Sequence, residues 1–128
     1  MLTYAAHSPA PASRTWELRA RPDLWSRWAP HLRGAWGLGS PEVEPGRRGA
    51  VRLLGFMPIP VSITDKRSGR SWSWRVGAVD MTHRVIPRPD GCEVRIEISA
   101  PSPVEAMLRA SYGPLVALLL RNLARVAA

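Results

Sequence analysis

Between residues 31 and 98 the apolar side chains of this chain recur at every second position. Leu32, Gly34, Trp36 and Leu38 share one side, and Val51 and Leu53 flank Arg52. Val61 and Ile63 flank Ser62, and Trp72, Trp74 and Val76 alternate with Ser71, Ser73 and Arg75. Met81, His83 and Val85 alternate with Thr82 and Arg84, then Val94, Ile96 and Ile98 with Glu93, Arg95 and Glu97. A period of two puts one set on each face of a pleated sheet, so this stretch predicts strands with one dry and one wet face. Pro45-Gly46, Gly55-Phe56-Met57-Pro58, Ser68-Gly69 and Pro89-Asp90-Gly91 interrupt the alternation. The last is a hairpin turn, where proline presets φ and glycine accepts a positive one. Connections this short join only antiparallel neighbours, which gives a meander of about six strands.

After Pro101-Ser102-Pro103 the period changes. Val104, Met107, Leu108, Ser111, Leu115, Leu119 and Leu123 fall at helical spacing, with Glu105 near the start and Arg121 and Arg125 near the end, as the helix dipole favours. Pro114 cannot donate to the carbonyl of Ala110, so a kink is expected at Gly113-Pro114. Ahead of the meander, residues 2–7 suit a short first strand. Pro11 suits the first position of a short helix over 12–20, and Pro22-Asp23 opens a second one carrying Leu24, Trp25 and Trp28, with Pro30 as its stop. A half-apolar sheet and one amphipathic helix bury their faces against each other. The expectation for the 128 residues is therefore one α+β domain, a curved antiparallel sheet of six to seven strands around a long C-terminal helix. The two short helices would plug the open end after the first strand.

This order resembles the START-like superfamily (SRPBCC, with the Bet v 1-like helix-grip fold), in particular its polyketide cyclase/dehydrase and lipid-transport group. The resemblance covers nearly the whole chain. It is carried by Ala10-Pro11-Ala12 with Trp16, by Asp23-Leu24-Trp25-Ser26-Arg27-Trp28-Ala29-Pro30, by Pro45-Gly46, and by Trp72-Ser73-Trp74-Arg75-Val76. His83-Arg84-Val85 leading into Asp90-Gly91, and Asn122-Leu123-Ala124, complete it. Cys92 stands where the family commonly has threonine after the hairpin glycine, and the first strand is short. The resemblance implies a hydrophobic small molecule, polyketide- or lipid-like, held between sheet and helix. It also implies the alternative of a cyclase, aromatase or dehydratase working in the same cavity.

Strand parity and helical spacing together nominate a binding surface. From the sheet it takes Leu53, Val61, Ile63, Trp72, Trp74, Met81, His83 and Ile96; from the helix, Met107, Ser111 and Tyr112. His83 is the titratable residue in the middle of the apolar face, a candidate to move a proton or bond a ligand. The competing reading is a structural histidine bonded to Tyr112 or Ser111. Trp72 and Trp74 share a face and form either a stacking wall or core volume, and two inward tryptophans leave room for only a small pocket. Asp65 has inward parity but sits at a strand end. Trp16, Trp25 and Trp28 read as packing that fixes the short helices.

The charge is lopsided, with 18 basic against 10 acidic residues and Lys66 the single lysine. Arg52, Arg75, Arg84, Arg95 and Lys66 share the outward parity with Glu93 and Glu97, which describes a solvated face with cross-strand charge pairs. Such a face could attract an acidic partner, but nucleic-acid binding is disfavoured because the aromatics have inward parity. Gly46-Arg47-Arg48-Gly49 imitates a backbone-clamping loop without the helices that normally flank one. His7, His31 and His83 lack metal-ligand spacing, Cys92 is the single cysteine, and neither metal nor cofactor is expected. No signal peptide and no apolar run of about 20 residues is evident, so the expected compartment is the cytoplasm. The sequence does not choose between monomer and dimer.

Overall fold

A computed structural model of the chain describes residues 1–29, 32–53 and 57–128. Its elements run β1 (Leu2–Ser8), α1 (Ala12–Ala20), a 3₁₀ helix (Pro22–Arg27), β2 (Leu32–Trp36), β3 (Arg48–Leu53), β4 (Met57–Arg67), β5 (Ser71–Val76), β6 (Val79–Arg88), β7 (Gly91–Ser99), α2 (Ser102–Ser111) and α3 (Gly113–Ala127). The strands form one antiparallel sheet of seven in the order β1-β7-β6-β5-β4-β3-β2, the helix-grip arrangement. The proline stop at residue 30 and the break at 54–56 lie outside the described residues.

Directly opposed residues on antiparallel strands share a face, so the registers convert the alternation into rows across the sheet. One row runs Leu2, Ile98, Met81, Trp74, Ile63; the next runs Tyr4, Ile96, His83, Trp72. All of these are buried except the half-buried Tyr4. β4 carries an extra residue between Ile63 and Asp65, and this bulge inverts parity beyond it. Asp65 accordingly turns to the exposed face opposite Ser73, not inward, and Lys66 comes opposite Trp72, where it pairs with Glu42 at 3.0 Å. Both departures from simple alternation have this one cause. On β2, Trp36 is exposed while Leu38 is buried, because the chain bends at Gly37 after the strand ends.

The last carbonyls of an α-helix lack partners within it. In α1 they are met by the following tryptophans: the Trp28 indole donates to the Leu18 carbonyl at 3.0 Å and the Trp25 indole to that of Arg19 at 2.8 Å. These bonds fold the 3₁₀ helix back against α1. The kink expected at Gly113-Pro114 is a full division of the C-terminal helix into α2 and α3. Gly113 has a packing reason, since a Cβ there would clash with the Tyr4 hydroxyl. α3 is tied to the rest by Ser8 Oγ, which donates to the Ala124 carbonyl at 2.8 Å, and by Asn122, which donates to that of Trp28 at 3.3 Å. Among the described residues, no helix is long and apolar enough to cross a membrane.

Gly91 opens β7 with φ at 141°, and a Cβ on it would run into the Ser8 carbonyl of β1. Gly91→Ala is therefore expected to cost at least about 1–3 kcal/mol, the usual penalty for such a backbone conformation in a non-glycine residue. Hydrogen exchange should localise the damage to the β1–β7 ladder. Uniform exchange changes across the sheet would contradict this.

Candidate functional site

A cavity of about 280 Å³ lies between the inner face of the sheet, the 3₁₀ helix and the C-terminal helices. Of the residues nominated from sequence, Val61, Trp72, Trp74, Met81, His83, Ile96 and Tyr112 line it. Ile63 is buried but does not reach the lining, and Met107 is 66% exposed on the far side of α2, which corrects its assignment. The side chains of Leu53 and Ser111 lie outside the described residues. The cause at Met107 is helical phase. Of the expected stripe Leu108, Tyr112 and Leu119 line the cavity, joined by Val116 and Leu120, while Met107 and Leu115 fall on the exposed side. Leucines at 115, 118, 119 and 120 cover more than half the circumference of α3, so spacing alone could not choose the face.

Trp25 and Trp28 do more than fix the short helices, because both also wall the cavity, together with Ala29. Trp25 stacks on Trp72 at 5.5 Å and 12°, and Trp72 stacks on His83 at 4.1 Å and 22°. Trp74 stands edge-on to all three, at 5.4, 5.2 and 5.5 Å. Such offset and edge-to-face arrangements fix ring positions beyond what area burial alone does.

Arg19 is the lining residue that strand parity could not reach. It comes from α1, is 1% exposed, and donates from one terminal nitrogen to the Arg84 carbonyl at 3.1 Å and from the other to His83 Nδ1 at 3.1 Å. Thus the described partner of His83 is Arg19 and not Tyr112, while the Ser111 alternative lies outside the described residues. A guanidinium has no acceptor, so Nδ1 must accept and the neutral ring carries its proton on Nε2. Burial first, and the Arg19 charge second, hold His83 well below its ordinary 6.5. Burial pushes Arg19 down from its ordinary value to about 9, which leaves it a cation at neutral pH. The Tyr112 phenol is raised by burial. The sequence did carry a signal for Arg19: it follows Thr15 by four and Trp16 by three, and both of those are buried.

Four donors of this cluster, Arg19 Nε, His83 Nε2, Trp72 Nε1 and Trp74 Nε1, are buried with no hydrogen-bond partner among the described residues. Cys92, by contrast, is a buried thiol that donates to Thr15 Oγ1 at 3.2 Å, away from the lining. Among the described residues no three His, Cys, Asp or Glu side chains gather as a metal site would require, and the position of His31 lies outside them.

A curved antiparallel sheet closed by a C-terminal helix over an apolar cavity defines a helix-grip protein. The model of the family described as polyketide cyclase/dehydrase and lipid transport matches residues 2–128, and the chain belongs to that family. Among solved structures it is similar to a Mesorhizobium loti protein at TM-score 0.78 and 13% identity, covering 98% of this chain and 94% of that one. It is also similar to an AHSA1-like protein from Aeromonas hydrophila (TM-score 0.71, 16% identity, 98% and 90% covered). A third is Ara h 8.0201, at TM-score 0.66 and 10% identity, with 98% and 95% covered. Identities this low speak for the fold alone. No curated protein matches the chain in sequence.

Proposed function

We propose that the chain binds a hydrophobic small molecule, polyketide- or lipid-like, in the cavity between sheet and C-terminal helix. One observation carries this reading: the cavity, about 280 Å³, is walled almost wholly by apolar and aromatic side chains with a few polar groups gathered at one cluster. That is the ordinary composition of a small-molecule site. Family membership supports it. Catalysis by His83 as a base fits the geometry less well. Protonating its ring would place a second positive charge 3.1 Å from the Arg19 guanidinium, deep in a low-dielectric interior. His83 is suited to give a hydrogen bond from Nε2 and poorly suited to take a proton.

The neutral probe N-phenyl-1-naphthylamine tests the reading. It should bind saturably, gain fluorescence and quench the emission of the buried tryptophans. Val61 lines the cavity and is 4% exposed, so Val61→Trp should fill the space and weaken the probe at least about tenfold, roughly 1.4 kcal/mol. Equal binding by a correctly folded Val61→Trp would place the probe elsewhere and defeat the proposal.

A further inference from the structure

We infer that the cavity's ligand carries an anionic oxygen head, a carboxylate or its equivalent, which Arg19 and His83 hold while the aromatic walls take the apolar body. This rests on reading the cavity as a binding site, and adds the chemical class of what enters it.

The polar equipment of the cavity is one-sided. Arg19, His83, Trp72 and Trp74 all line it, and each has an N–H donor without a partner among the described residues. The described lining holds no Asp, Glu, Asn, Gln, Ser or Thr side chain, and Tyr112 contributes its one hydroxyl. The donors are also one cluster: Arg19 bonds His83, His83 stacks on Trp72, and Trp74 meets both rings edge-on. Trp25 and Trp28 line the same cavity, yet their indole N–H groups are spent on the α1 carbonyls. A buried donor left unmade is costly, and a group that accepts from several at once relieves several costs together.

Charge narrows the acceptor to an anion. Buried charges are ordinarily paired, but both partners of the Arg19 terminal nitrogens are neutral, a peptide carbonyl and an uncharged imidazole. Arginines on the outer face of the sheet behave differently, as Arg75 has Asp80 at 2.9 Å and Arg84 has Glu97 at 2.8 Å. A carboxylate matches the guanidinium fork and forms charge-assisted hydrogen bonds of about twice the ordinary strength.

The test compares 1-naphthylacetate with its methyl ester, equal in apolar body and different in charge, by calorimetry at pH 7. The native protein should bind the acid at least about tenfold more tightly. Arg19→Met should erase that preference with ester affinity kept, and Arg19→Lys should retain most of it. An ester bound as tightly as the acid overturns the anionic head and leaves the cavity reading standing. Failure of both to bind overturns the two readings together. A preference that survives in Arg19→Met removes Arg19 from the head site. Should Arg19→Met not fold, the acid–ester pair on the native protein still decides.

Discussion

Trp72→Ala is expected to remove about 3–5 kcal/mol of stability, the range for a large aromatic deleted from a close-packed interior. Trp72 is 1% exposed and stands at the centre of the aromatic cluster, between Trp25 and His83 and edge-to-face with Trp74. Its loss takes away the transfer free energy of an indole and leaves three neighbouring rings without support. Because these neighbours already border a cavity, they have little to collapse onto, which places the cost in the upper part of the range. A domain of this size has about 5–15 kcal/mol in total, so the variant should be marginal at physiological temperature. Trp36→Ala is the matched control. Trp36 is 48% exposed on β2, with the Arg52 guanidinium 5.6 Å from its ring, and its loss should cost no more than about 1 kcal/mol. Urea midpoints at pH 7 measure both, and a Trp72 variant no less stable than the Trp36 one would show that the cluster is not the keystone of the core.

The fold was legible because periodicity is a direct record of burial. Every residue from Met81 to Val85 and from Val94 to Ile98 faces as its parity says, and the sheet order follows from short hairpins. What parity cannot see is an inserted residue. The bulge before Asp65 exchanged the faces of Asp65 and Lys66 without any Gly or Pro to mark it. Nor could spacing phase the C-terminal helices: a single continuous stripe was read across the break at Tyr112-Gly113, and so Met107 was placed inward and Val116 was not. Arg19 was obscured for another reason. Its partner His83 lies 64 residues away, and a pairing of that range depends on how α1 docks on the sheet. The part of the site that carries its polarity is therefore the part least visible in the chain.

The excess of arginine also divides in a way that composition could not reveal. On the outer face Arg75, Arg84, Arg88 and Arg95 are engaged by Asp80, Glu97 and Glu93, exposed or half-exposed pairs of the kind that contribute little stability each. Among the described residues, one arginine is buried, Arg19. A buried guanidinium is a poor way to stabilise a core, since hydrophobic replacement of buried ions is often neutral or favourable. Its presence at a cavity wall, with an unpartnered donor, is what the anionic ligand proposed above would require.

The second large effect concerns pH. His83 is 6% exposed and held neutral by burial and by Arg19, so its folded pKa lies well below the value near 6.5 that it has in the unfolded chain. As pH falls through 6.5 the unfolded state takes up a proton that the folded state refuses, and stability drops with a slope approaching about 1.4 kcal/mol per pH unit. The contribution is thus fully present above pH 6.5 and is lost progressively below it, until the folded pKa is reached. Between pH 7 and pH 5 the loss is at most about 2 kcal/mol, reached where the folded ring stays neutral throughout. Asp80 and Glu93, both held low by hydrogen bonds from Arg75 and Arg95, begin to lose their own stabilisation mostly below that window. His83→Gln supplies the comparison, because its amide oxygen can still accept from Arg19 while nothing on it titrates. Urea unfolding of the two proteins at pH 7, 6 and 5 should show native stability falling towards that of the variant, and the gap closing by up to about 2 kcal/mol. Parallel curves would mean that His83 is protonated as readily inside as outside. In that case the neutral donor assigned to the cavity wall would not exist.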